Sequence, residues 1–221
     1  MQGVINLFQD RQTAGRELAE KLLKYKGEDL LVLGVPRGGV IVAAEVAKAL
    51  AAPLDVIISR KIGAPFNPEL ALGAVAPDGT VLYDERLLDL LGLGRGDLQE
   101  QVSRQLEEIR RRLKLYRGDR EISRYDGRTV IVVDDGIATG FTLRAALRSL
   151  RRHGPGKLVL AVPVAPPEVV DRLRHEVDEV ICLETPEEFY AVGQFYKDFR
   201  QNTDEEVVAA LAHNCRPPDS Q

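Results

Sequence analysis

Tryptophan is absent from this 221-residue chain, methionine occurs once and cysteine twice. The two cysteines, Cys182 and Cys215, are too few and too unpatterned for a disulfide framework or a zinc site. They read as small buried or incidental thiols, and the expected compartment is reducing and intracellular. Long apolar runs are also lacking. The longest, "VIVAAEVAKALAAPLDVII", is broken by Glu45, Lys48, Pro53 and Asp55, so no stretch offers the roughly 20 apolar residues of a membrane span. The opening "MQGVINLFQDRQ" lacks the basic start and apolar core of an export signal. Together these absences predict a soluble, cytoplasmic protein. Positive charge is not in excess either: a net charge of −4 argues against a nucleic-acid binder, which needs concentrated cations for phosphate. Arginine outnumbers lysine, a bias as compatible with a thermophile as with a GC-rich genome.

What is present is an alternation of short apolar runs with helical patterns. Residues 10–25 predict a helix capped by Asp10, with Leu18, Leu22 and Tyr25 on one face. "DLLVLGV" (29–35) predicts a strand, "PRGG" a turn, residues 40–51 a helix and "LDVIIS" (54–59) a second strand. Strand, glycine turn, helix and strand make a βαβ unit and imply a parallel sheet. The pattern resumes at "TVIVVDD" (129–135), a helix at 140–153, "KLVLAVPVA" (157–165), a helix at 166–175 and "VDEVICLE" (177–184).

The expected plan is a single α/β domain over 1–221: an open, mostly parallel sheet flanked by helices. An insertion at about 62–125 interrupts it and a small C-terminal hood at about 184–215 closes it. Within the insertion, "LALGAVA" and "TVLYD" predict two strands joined by a hairpin turn at Pro77-Asp78-Gly79. Helices follow at 85–91 and 97–115; the second has Leu98, Val102, Leu106, Ile109 and Leu113 on one face and arginines on the other.

The chemistry concentrates in "TVIVVDDGIATGFTLRAAL" (129–147). In open α/β sheets, ligands bind outside the carboxyl ends of strands. Asp134 and Asp135 stand at such an end. Thr139, Gly140 and Thr142 then open a helix, whose free N–H groups attract anions. The turn therefore offers acceptors on one side and donors on the other, which suits a sugar phosphate. A magnesium site of Walker B type would need G-x-x-x-x-G-K-[ST], which the chain lacks.

"VIVVDDGIATGFT" resembles the phosphoribosyl pyrophosphate signature of the type I phosphoribosyltransferases. The resemblance covers about 10–60 and 125–183. It implies that Asp134 and Asp135 hold the ribose hydroxyls, and that Ala138, Thr139, Gly140, Phe141 and Thr142 hold the 5′-phosphate. "PRGG" (Pro36, Arg37, Gly38, Gly39) resembles the family's pyrophosphate loop, which often contains a cis peptide. Arg60 and Lys61, at the end of the second predicted strand, are expected to reach the same sheet edge and meet pyrophosphate. The catalytic set so implied is Asp134, Asp135 and Lys61, with Mg²⁺ held by substrate oxygens and by the two acids, directly or through water.

The acceptor is less defined. Where hypoxanthine–guanine members carry an acid in the turn, this chain has Ala138, so that general base is missing. "TPEEFYAVGQFYKDFR" (185–200) loosely resembles the base-binding segment of 6-oxopurine enzymes, which implies stacking by Phe189 or Tyr190. Glu69 and its proline-rich surroundings suit a mobile lid. The reading is a phosphoribosyltransferase with a nucleobase acceptor, purine before pyrimidine, in a homodimer. The alternative is a regulator that senses phosphoribosyl pyrophosphate, with the arginine-rich helix at 104–120 facing a partner.

Overall fold

The computed structural model describes residues 7–118, 120 and 124–214. Cys215, residues 1–6 of the opening segment, and residues 119 and 121–123 of the expected insertion lie outside the described residues.

Five strands form a parallel sheet: β1 (Leu30–Gly34), β2 (Leu54–Val56), β6 (Thr129–Val133), β7 (Lys157–Val164) and β8 (Glu179–Glu184). Their spatial order is β2-β1-β6-β7-β8. The strand centres are apolar because helices cover both faces. On one face lie α1 (Arg11–Leu22), α2 (Gly38–Leu50), α4 (Gln99–Arg117) and α7 (Asp204–His213), packed around Leu18, Leu22, Val46, Ile109 and Val207. On the other lie α5 (Phe141–Arg152) and α6 (Pro167–Leu173), packed through Leu143, Leu147 and Val170. Each fully buried aliphatic side chain here contributes about 1.5–3 kcal/mol. Asp10 caps α1 as its position predicts, accepting the Thr13 N–H at 2.7 Å.

The insertion builds a second sheet, antiparallel, of β3 (Arg60–Ala64), β4 (Asn67–Val75) and β5 (Val81–Tyr83). The β4–β5 hairpin falls where Pro77-Asp78-Gly79 predicts it, with Asp78 accepting the Thr80 N–H and Gly79 at φ 84°. β3 is absent from the sequence reading, because Gly63, Pro65 and Pro68 obscure its alternation. Its pairing with β4 is irregular at Ile62–Ala64, which accommodates Pro68 inside β4. Gly63 is required there: a Cβ would lie 2.3 Å from the Pro68 carbonyl oxygen.

Two further corrections concern boundaries. The apolar run 54–59 is not one strand: β2 stops at Val56, and Ile57–Ser59 carry the chain to the second sheet. The C-terminal segment is not all hood, because α7 packs against α2 and α4. The hood is residues 185–200, joined by a bridge between Phe8 and Tyr196. α3 (Glu85–Leu91) completes the insertion. α4 is anchored by Arg117, which donates to buried Asp55 at 2.8 Å and to the Val56 carbonyl at 2.9 Å. Its Tyr116 hydroxyl donates to Asp204 at 2.6 Å.

Candidate active site

The pairing register puts Gly34 of β1 level with Val133 of β6 and Val56 of β2. The loops that follow β1 and β6 therefore leave the sheet side by side. Val35 N–H donates to the Val133 carbonyl at 2.9 Å, which ties the root of the PRGG turn to the root of the acidic turn. The Pro36–Arg37 peptide is cis. Both glycines of the turn then seat against the acids. A Cβ on Gly39 would lie 2.8 Å from Asp134 Cα, and one on Gly38 would lie 2.0 Å from Asp135 Oδ2. Only a residue without a side chain permits this approach.

Each acid is held on one oxygen. Asp134 Oδ1 accepts the Asp135 N–H at 2.8 Å. Asp135 Oδ2 accepts from Arg11 Nε at 2.7 Å. Burial, and then the neighbouring charge of Asp135, push the Asp134 carboxyl well above the usual carboxylate range. Among the described residues, no group of three or more His, Cys, Asp or Glu could hold a metal ion. A cation here would depend on substrate oxygens for most of its coordination.

The turn after the acids is shaped by two glycines with positive φ, Gly136 at 156° and Gly140 at 68°. Gly140 caps α5, whose first turn has no acidic residue and no side-chain cap. Its N–H groups are therefore open to an anion. Ala138 and Thr139 are exposed, and Thr142 is half-buried with its carbonyl accepting from Ser59 Oγ at 2.8 Å. The five residues expected to cradle the 5′-phosphate are contiguous around this helix start.

Arg60 and Lys61 do not sit in a strand-end loop as expected; they open β3. They line a cleft of about 580 Å³ with Ser59, Gln101, Arg104 and Thr142. Arg60 Nε donates to Gln105 Oε1 at 2.6 Å, whereas Lys61 is exposed. The cleft reaches Thr142 of the phosphate turn, but Pro36–Gly39 do not line it. Residues 64–68, the expected lid, are the tip of the β3–β4 ribbon, with Phe66 exposed.

The two expected stacking residues part company. Phe189 packs into the hood, its ring 5.0 Å from that of Phe195. Tyr190 is 87% exposed. The aromatics that reach Asp135 and its partner Arg11 are others. Tyr196 donates its hydroxyl to the Asp135 carbonyl at 2.6 Å, and Phe199 carries the Arg11 guanidinium 3.9 Å above its ring. Arg11, Tyr196 and Phe199 escaped the sequence reading. The aromatic density of 185–201 was the available signal for two of them; Arg11 looks like any residue of a helix's first turn.

Three of the arginines of α4 are engaged internally. Arg111 and Arg112 both bond Glu108, which they hold down to about 2, and Arg117 is buried on Asp55. Cys182 is half-buried with its thiol pushed up to about 11 by burial, in keeping with an inert role. No helix among the described residues is long and apolar enough to cross a membrane.

Comparison with known proteins agrees with this geometry. The family profile described as "Phosphoribosyl transferase domain" matches residues 6–200. Two Mycobacterium tuberculosis proteins, provisionally named phosphoribosyl transferases, are each 47% identical over 207 residues, or 94% of this chain. The chain spans 47% of the length of those relatives. A crystal structure of a Thermus thermophilus protein superposes with a TM-score of 0.81 at 44% identity, covering 95% of this chain and 99% of that one.

Proposed function

The chain belongs to the phosphoribosyl transferase family, and on that footing we propose that it moves phosphoribose from 5-phosphoribosyl 1-pyrophosphate to a nitrogen acceptor. The acceptor in this proposal is a nucleobase, with purines first. The observation that carries the reading is the seating of Gly38 and Gly39 against Asp135 and Asp134. It joins a pyrophosphate-type loop to a ribose-phosphate turn on one sheet edge.

In this reaction the acceptor nitrogen forms a bond to ribose C1, the C1–oxygen bond breaks, and pyrophosphate leaves with the electron pair. Positive charge develops on the sugar ring, and the protein's work is positioning and charge placement. Asp134 and Asp135 accept from the ribose hydroxyls. The amides of 138–142 and the hydroxyls of Thr139 and Thr142 hold the 5′-phosphate. The PRGG amides and Arg37 hold pyrophosphate; Lys61 would have to reach it from a cleft that Pro36–Gly39 do not line. The acceptor's proton leaves without help from the turn, because position 138 is alanine. Magnesium would supply charge neutralisation at the pyrophosphate. Two carboxylates with no third acid beside them among the described residues suit an ion that keeps waters and substrate oxygens.

Pyrophosphate release in the presence of Mg²⁺, measured across purines, pyrimidines and amide acceptors, tests the reading. Turnover with at least one purine is expected. Asp135→Asn and Thr139→Ala should each weaken donor binding about tenfold or more; donor binding equal to wild type in both would displace the site. The sensor alternative has less support, since the α4 arginines at 111, 112 and 117 already have acidic partners within the chain.

A further inference from the structure

We propose that Arg11 is a positioning residue for the donor's ribose, acting through Asp135; the inference rests on the reading of the acid pair given above. Arg11 is 8% exposed, although it belongs to the first turn of a helix, where an arginine would ordinarily be solvated. Two of its nitrogens and its plane are engaged. Nε donates to Asp135 Oδ2 at 2.7 Å, Nη1 donates to the Arg200 carbonyl at 2.9 Å, and the guanidinium plane lies 3.9 Å from the Phe199 ring centre. Tyr196 fixes the backbone of the same acid through its hydroxyl, at 2.6 Å from the Asp135 carbonyl. The pyrophosphate-type loop closes over the pair, since a Cβ on Gly38 would lie 2.4 Å from Arg11 Nε.

The consequence is an allocation of carboxylate oxygens. Asp135 Oδ2 is taken by Arg11 and Asp134 Oδ1 by the Asp135 N–H. Among the described residues, Asp135 Oδ1 and Asp134 Oδ2 accept from no N–H donor, which leaves one oxygen of each acid for a ligand hydroxyl. Two vicinal hydroxyls need that number of acceptors. A planar guanidinium fixes the rotation of a carboxylate where a lysine would supply only charge. Arg11 also joins the N-terminal helix and the hood to the donor edge, because Phe199 and Arg200 are hood residues.

Calorimetric titration of the full chain with three probes, each with Mg²⁺, separates positioning from mere structural support. The probes are 5-phosphoribosyl 1-pyrophosphate, ribose 5-phosphate and inorganic pyrophosphate. Arg11→Gln is expected to weaken the two ribose-bearing probes about tenfold or more, as for loss of a charge-assisted hydrogen bond, and to leave pyrophosphate nearly unchanged. Arg11→Lys should recover part of the loss. Adding Arg11→Gln to Asp135→Asn should cost little beyond Asp135→Asn alone. Should Arg11→Gln fail to fold, Arg11→Lys and Phe199→Leu carry the same comparison, each with a smaller, ribose-selective loss. Equal weakening of all three probes, additive losses in the double variant, or unchanged ribose affinity would overturn the role of Arg11. Failure of the wild-type chain to bind any of the three probes would instead sink the functional reading, and this inference with it.

Discussion

At the carboxyl edge of the parallel sheet, position is set by backbone. Strand register aligns Gly34 with Val133, two glycines remove the side chains that would separate the loops, and α5 supplies amides. At the hood, position is set by side chains: Phe8, Phe189, Phe195, Tyr196 and Phe199 lean on one another, and nothing in the local backbone dictates which ring faces the site. The difference explains why the residues proposed for the donor follow a short motif while those proposed for the acceptor do not. Backbone geometry tolerates few sequences, whereas an aromatic cluster can be repacked by many.

The sharpest way to break the comparison is Gly38→Ala. Its new Cβ would meet both Asp135 and Arg11, so donor affinity should fall about a hundredfold or more, with a loss of about 1–3 kcal/mol in stability from overpacking. Donor titration and denaturant unfolding read the two effects, and a near-normal donor affinity would show that the glycine seat is not the organising contact.

On the hood, Phe189→Ala and Tyr190→Ala should separate cleanly. The first removes a ring packed on Phe195 and should cost about 2 kcal/mol of stability. The second should leave stability within about 0.5 kcal/mol and raise the acceptor KM alone. An unchanged acceptor KM in Tyr190→Ala would take that residue out of the site.

The smallest effect lies far from both regions. Glu179 is held down to about 2 by Lys24, then by the Tyr25 hydroxyl and, after the opposing cost of burial, by Lys157. Its folded value lies below the ordinary carboxylate value of about 4.3. Its stabilising contribution is therefore complete above that value and drains away as the pH falls toward 2. Partial exposure screens the interaction, so the effect is modest. In Glu179→Gln the acid-unfolding curve should be shallower across that window, with donor binding at neutral pH unchanged.

Much of this molecule is legible in its sequence for identifiable reasons. β6 and α5 declare themselves because a buried parallel strand must be apolar and because Gly140 suits the positive φ at the helix start. The hairpin at Pro77-Asp78-Gly79 is legible because Gly79 and the Asp78 side chain are what that turn requires. β3 is not, since its pairing depends on a bulge opposite Pro68. Arg60 and Lys61 were misplaced for the related reason that the run 54–59 serves two sheets, and nothing local marks the switch at Val56.

By itself the sequence determined the alternation of strands and helices, the acids at the end of β6 and the glycines of both loops, because each is a local requirement of backbone geometry. Only the tertiary structure decided that Arg11, 124 residues away in sequence, bonds Asp135, that Tyr196 bonds the same residue, and that Phe199 rather than Phe189 stacks on Arg11. Those contacts join a helix, a hood and a sheet edge. Their energies depend on burial and on distances between segments, and no local pattern records either.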